Sequence, residues 1–148
     1  MIYSLLLISH LVAATVWTGG HIVLSTVILP KVLKAKSPQM LLDFEQSFEK
    51  VGMPALIIQV ITGLLLAYRW LPDLSLWFAF NNPISHAIAT KLLLLSLTFG
   101  LAIDAKLRVL PNLSEEKLWD MALHIIGVTI ISIAFVAVGL SFRLGWFA

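Results

Sequence analysis

The stretch IYSLLLISHLVAATVWTGGHIVLSTVIL, residues Ile2–Leu29, contains no aspartate, glutamate, lysine or arginine. A helix needs about 20 apolar residues to cross a hydrocarbon core of roughly 30 Å. The apolar region of a signal peptide has only about 7–15 residues and follows a basic start, which this stretch lacks. The stretch therefore predicts a transmembrane helix.

Three further apolar segments follow, at residues 54–71, 83–110 and 121–142. Backbone groups in lipid must be hydrogen bonded within their own segment, so each segment is expected to be helical. Of the 148 residues, 59% are hydrophobic and 12% are charged, which is about half the charged fraction of soluble domains. The sequence predicts an all-α integral membrane protein, a four-helix bundle forming a single domain over residues 1–148.

The composition also excludes several classes of function. The net charge of +2 is small and its basic residues are dispersed, so a nucleic-acid partner is not expected. Because the chain has no cysteine, disulfides, iron–sulfur ligation and thiolate catalysis are excluded. No hydrolase triad, phosphate-binding loop or metalloprotease motif is present, and no catalytic residue is assigned.

The loops carry an asymmetric charge that predicts orientation. Basic residues in the loop between the first two spans are Lys31, Lys34, Lys36 and Lys50, and those between the last two are Lys106, Arg108 and Lys117. Basic loops face the cytoplasm in most membrane proteins. Both termini are therefore expected on the outer side.

The first of these loops contains an amphipathic segment. Ser37-Pro38 is typical of a helix start, and Leu41, Phe44, Phe48 and Val51 then fall on one helical face. The pattern predicts a short amphipathic cytoplasmic helix between the first two spans.

Histidines are the main candidates for function, because polar side chains are costly inside a membrane. His10 and His21 are eleven residues apart in the first span. At 3.6 residues per turn they share a helix face, about 16 Å apart along the axis. This arrangement suits one helix that supplies ligands to two stacked sites; the alternative for each is a hydrogen-bonded packing role.

Topology indicates the partners of these two histidines. His124 begins the fourth span on the same side as His21, and His86 begins the third span on the side of His10. The sequence therefore predicts two ligand pairs, His21 with His124 and His10 with His86. His86 lies so close to Pro83 that interfacial placement is the alternative.

Opposed imidazoles in an apolar layer suit haem, which has axial histidine ligands and a large apolar ring. Gly20 would let a flat macrocycle approach the first helix, or would only allow close helix packing, and Trp17 would pack beside the porphyrin. Lys91 would either reach the membrane surface or pair with a haem propionate. Copper is the alternative metal, because Met121 and His124 are three residues apart.

A family resemblance rests on His10-Leu11, Trp17 and Gly20, continued by Pro54 with Thr62-Gly63-Leu64 and by Lys91-Leu92. These residues resemble the CopD-like (copper-resistance protein D) membrane superfamily, which includes haem-binding protoporphyrinogen oxidases of bacteria. The resemblance covers roughly residues 3–110 and implies haem ligation by His10, an important Lys91 and a bacterial inner membrane location. Ala89 stands where the oxidase branch has a second histidine, and His21 and His124 lie outside its pattern.

The leading hypothesis is a cytochrome b-like membrane redox protein that binds one or two haems b. The metal ligands would be His10, His21, His86 and His124, with Trp17, Gly20 and Lys91 completing the cofactor sites. The electron partner would be a small molecule such as a quinol or porphyrinogen. Copper transport or tolerance and protoporphyrinogen oxidation are the alternatives, and helix association through small residues is compatible with a homodimer.

Overall fold

The structure, a computed structural model, describes residues 1–146. Four of its helices are long and apolar enough to cross a membrane. They are α1 (Ile2–Ala35), α2 (Pro38–Trp70), α3 (Pro83–Asn112) and α4 (Leu118–Leu144). The prediction of an all-α four-helix membrane protein is confirmed, and the structure fits a multi-pass membrane protein.

The amphipathic segment begins at the expected residue. Ser37 is the N-cap of α2, and its hydroxyl accepts a hydrogen bond from the backbone N–H of Met40 (3.3 Å). The segment continues without interruption into the second span, because Pro54 is accommodated inside a single helix. It is therefore the first part of α2 and not a separate helix.

Two π-helical turns interrupt the regular geometry of α1 and α3, at Leu24–Ile28 and Ala105–Val109. Each is followed directly by a Leu–Pro pair, at residues 29–30 and 110–111. Proline has no N–H to continue the α-helical hydrogen bonds. A π-helical turn just before the proline is one way for the helix to accommodate this missing hydrogen bond. The two odd-numbered helices thus share a feature that was not recognised in the sequence.

The bundle has two distinct ends. We call the end with residues 36–37 and 110–117 the basic end, and the end with residues 71–82, the start of α1 and the end of α4 the terminal end. Helix α1 packs between α2 and α4, and α4 also packs against α3. Helices α2 and α3 share no extended contact over the part of the chain described.

Most of the closely packed core lies near the basic end. Leu41, Val32 and Val109 are fully buried there, together with Leu118 and Ala122. Leu41 and the partly buried Phe44 and Phe48 belong to the predicted apolar face, whereas Val51 is exposed. Large apolar side chains elsewhere are exposed along the spans, as expected for surfaces that face lipid.

Helix α3 begins with a capping box. The side chain of Asn82 accepts a hydrogen bond from the backbone N–H of Ser85 (2.9 Å). We expect Asn82→Ala to lower the free energy of unfolding by about 1 kcal/mol, because the first turn loses its acceptor. Unfolding titrations in sodium dodecyl sulfate would measure this loss, with the exposed Asn112→Ala as control. An equal effect of both variants would contradict the capping role.

Candidate cofactor site

His21 lies on α1 with one ring nitrogen committed and the other available. It is buried, with 9% of its surface exposed. Its Nδ1 lies 2.9 Å from the carbonyl oxygen of Trp17, which can only accept, so Nδ1 carries the proton. Nε2 therefore bears the lone pair, as a metal-ligating histidine requires. The Trp17 ring lies beside it, with ring centroids 4.4 Å apart.

His124 on α4 is equally buried, but both of its ring nitrogens are hydrogen bonded. Nδ1 donates to the carbonyl oxygen of Asp120 (2.8 Å), and Nε2 contacts a carboxylate oxygen of Asp104 (2.6 Å). Arg108 bridges Asp104 and Asp120 (both 2.6 Å). Metal ligation by His124 therefore requires its Nε2 to separate from Asp104.

His21 and His124 line the same cavity near the basic end of the bundle. Its volume is about 150 Å³, and all four helices contribute to its wall. Next to it, the Thr129 hydroxyl of α4 reaches the carbonyl oxygen of His21 on α1 (3.1 Å). The structure thus brings one predicted histidine pair to a common space.

The Phe48 ring occupies the part of this space beside Gly20. A β-carbon on Gly20 would collide with the Phe48 ring, and one on Gly52 would also press against it. The ring meets His21 edge-on, with centroids 5.6 Å apart, and stacks on Phe44. The Gly20 position therefore accommodates an aromatic side chain of the protein itself, and a role beside a macrocycle remains a prediction.

Charged groups border the cavity on its α2 and α3 sides. Glu45, Glu49 and Lys106 contribute to its lining. Lys106 and Glu49 form an ion pair (2.5 Å) that joins α3 to α2. The π turns reach the same place, since Leu24 and Ala105 also line the cavity. Irregular helical turns of this kind are frequent beside functional sites.

His10 lies in the half of α1 near the terminal end and is bound to α2. Its Nδ1 lies 3.0 Å from both the carbonyl oxygen of Gln59 and the hydroxyl oxygen of Thr62. Thr62 already donates to the carbonyl of Ile58 (2.6 Å), so His10 is the donor in both contacts. Its Nε2 also bears a lone pair. Gly63 faces the ring, where a β-carbon would come within 3.1 Å.

Lys91 and His86 complete the predicted residues on α3. The Lys91 ammonium lies beside Gly139 of α4, at 3.7 Å from the position of a β-carbon there. His86 is half-buried in the first turn of α3, where it bonds to the Asn82 carbonyl (2.9 Å) and contacts the Phe80 ring.

Comparisons with protein-family models, with curated proteins and with solved structures return no match to this chain.

Two parts of the site were missed in the sequence. The Asp104–Arg108–Asp120 network had a local signal, because Asp104 and Arg108 are four residues apart on one helix. No local pattern in the sequence indicated that the Phe48 ring would lie beside His21. Its position on an apolar helix face indicated only that its side chain would be at least partly buried.

Proposed function

We propose that this protein is a membrane redox protein that binds haem b at the cavity near the basic end. The observation that supports the proposal best is that His21 and His124, from α1 and α4, line one cavity between the helices. Imidazole nitrogens are common axial ligands of haem iron, and haem supplies one-electron transfer. The protein supplies ligands, dry surroundings and a fixed orientation.

The residues fit this cofactor unequally. His21 would be the first ligand to hold the iron, because its Nδ1–H is fixed and its Nε2 is available. His124 would be the second only after Asp104 releases its Nε2. Trp17 would pack against the ring. The spectrum of bound haem would therefore show whether the contact between Asp104 and His124 is kept or lost.

Space for a macrocycle depends on Phe48. A cavity of 150 Å³ is smaller than the roughly 300–1,000 Å³ of typical organic ligand sites. If the Phe48 ring turns away, Gly20 and Gly52 leave bare backbone on two sides, and Ala102 and Ala105 of α3 line the cavity with small side chains. A flat ring could lie against the part of the wall that these small residues form, so we propose that haem takes the place of the Phe48 ring.

The number of haems follows from which histidines bind iron. A second haem would use His10, with His86 as its partner and Lys91 near a propionate. His10 has the required lone pair on Nε2, but the single-haem arrangement needs fewer changes.

The test is an absorption spectrum of the detergent-purified protein, oxidised and dithionite-reduced, with haem quantified as the pyridine haemochrome. We expect a Soret band, a sharp α band on reduction, and about one haem per chain. Two haems per chain would extend the proposal to His10. Absence of a Soret band after expression with ample haem would reject haem binding and favour the second candidate.

The second candidate is a copper transport or tolerance protein, and one observation favours it. Met53 and Met121 line the same cavity as His21 and His124. Thioether and imidazole ligands together suit Cu(I), and a cavity of this size holds an ion without moving Phe48. Copper content by mass spectrometry of the colourless protein would identify this outcome.

The resemblance to the CopD-like superfamily supports both candidates and adds protoporphyrinogen oxidation as a third. The resemblance also implies a location in the bacterial inner membrane. We propose that the basic end faces the cytoplasm and both termini face the outer side, following the distribution of lysine and arginine.

A further inference from the structure

A pocket at the terminal end of the bundle takes no part in the cofactor site. It has a volume of about 440 Å³ and is lined by Tyr3, Arg69 and Trp70. Tyr3 lies in the first turn of α1, and Arg69 and Trp70 are the last two residues of α2. The pocket therefore lies where the ends of these two helices meet, and its volume is within the roughly 300–1,000 Å³ of typical ligand sites.

The charge of this pocket comes from Arg69. Its guanidinium carbon lies 5.2 Å from the centre of the Tyr3 ring, a distance at which a cation is attracted to an aromatic face. Among the side chains that the structure describes, no carboxylate forms an ion pair with Arg69. The lining residues thus carry one positive charge and no negative charge, which suits an anionic ligand.

The contact between Arg69 and Tyr3 also favours a particular kind of anion. An arginine held by an aromatic ring still has its N–H groups to donate, in a planar fork that matches two oxygens of a phosphate. Tyr3 and Arg69 come from different helices, and α1 packs extensively along α2. The packing of these two helices therefore holds the guanidinium in place before a ligand arrives.

The surroundings of the pocket indicate which phosphate is at hand. Large side chains next to it are exposed on both helices, Ile2 and Leu5 on α1 and Leu65 and Tyr68 on α2. Exposed apolar surfaces of spanning helices face lipid, and tyrosine and tryptophan are enriched at the level of the lipid headgroups. A phospholipid could therefore place its phosphate at Arg69 and its acyl chains along these side chains.

We propose that Tyr3, Arg69 and Trp70 bind the headgroup of an anionic phospholipid in the leaflet at the terminal end, with the Arg69 guanidinium donating to its phosphate. An anionic lipid neutralises the charge of the pocket, whereas a zwitterionic lipid brings a cation of its own next to Arg69. The site is independent of the proposed haem site, because none of its residues lines the cavity near the basic end.

The first test observes the pocket through Trp70 in the unaltered protein. The protein is isotope-labelled at its tryptophan indole nitrogens for NMR in detergent, and the Trp70 signal is identified by its loss in Trp70→Phe. Dihexanoyl phosphatidylglycerol, dihexanoyl phosphatidylcholine and inorganic phosphate are then titrated separately.

We expect phosphatidylglycerol to shift the Trp70 signal saturably, with a Kd about five-fold or more below that of phosphatidylcholine, the effect of roughly one charge at a membrane surface. Absence of a saturable shift would overturn the proposal, as would equal Kd values for the two lipids. An equal Kd for inorganic phosphate would also overturn it, because the site would then recognise a free anion and not a lipid.

The second test removes the cation. Arg69→Gln is expected to weaken phosphatidylglycerol binding about five-fold or more and to abolish the preference over phosphatidylcholine. The matched control is Lys31→Gln, which removes an exposed cation of α1 at the basic end and should leave the Trp70 titration unchanged. An unchanged Kd in Arg69→Gln, or an equal loss in Lys31→Gln, would contradict the proposal.

A pair of variants at Tyr3 tests the role of the ring. Tyr3→Leu keeps Arg69 but deletes the aromatic face, and it should weaken phosphatidylglycerol binding about two- to five-fold. Tyr3→Phe keeps the face and should bind like the unaltered protein. Equal Kd values for these two variants would overturn the arrangement in which the ring holds the guanidinium.

Discussion

His21→Ala is expected to remove haem from the purified protein, with an affinity loss on the order of 100-fold or more. Changes to groups that only orient a metal ligand typically cost 10–100-fold in affinity, and this variant removes the ligand that has its Nε2 available. Haem per chain, measured as the pyridine haemochrome, gives the result directly. The proposal fails if His21→Ala retains haem and an unchanged spectrum.

Two controls separate ligand loss from a structural defect. Thr98→Val alters a buried hydroxyl of α3 that bonds only to its own helix at Leu94, and it should retain haem. Added imidazole should restore the Soret band of His21→Ala, because the deleted ring leaves a space of its own size. A misfolded protein would not be rescued in this way.

Gly20→Ala is expected to lower the free energy of unfolding by about 1–3 kcal/mol, the usual cost of overpacking. The added β-carbon would meet the Phe48 ring. The adjacent Gly19→Ala is a matched control, because no atom lies within 4 Å of a β-carbon there. That variant should be neutral or gain up to about 1 kcal/mol from the better helix propensity of alanine. Unfolding in sodium dodecyl sulfate measures both variants.

A double-mutant cycle tests the cause of this effect. Phe48→Ala should cancel most of the cost of Gly20→Ala, with a coupling energy of about 0.5–3 kcal/mol. On the haem proposal, Phe48→Ala alone should also increase haem uptake, since it clears the space beside His21. Additive effects of the two substitutions would mean that the ring and the glycine do not share this space.

The histidines show how far sequence reasoning reached. Helical periodicity and chain direction predicted that His21 and His124 would approach each other, and they line one cavity. The same reasoning could not show which ring nitrogens are available. The partner of His124 Nε2 is Asp104, twenty residues earlier on a different helix, and its contact depends on how α3 and α4 are rotated about their axes.

Gly20 also shows that the sequence alone could not identify contacts between helices. Gly20 was expected either to admit a macrocycle or to permit close packing, and both readings follow from the missing side chain. The side chain that fills the space, Phe48, comes from the start of α2. Its position depends on the two-residue connection at 36–37, which returns the chain directly along α1.

The sequence by itself determined the four spanning helices and the positions of the histidines along them. Apolar length, helix capping and periodicity are local properties, and lipid leaves the backbone no other hydrogen-bonded form. Only the tertiary structure decided that Asp104 binds His124 and that Phe48 lies against His21. These contacts join different helices, so they depend on how each helix is rotated about its axis. In lipid the hydrophobic effect does not determine that rotation, because lipid is as apolar as the helix surfaces. Side-chain packing and polar contacts between helices determine it instead.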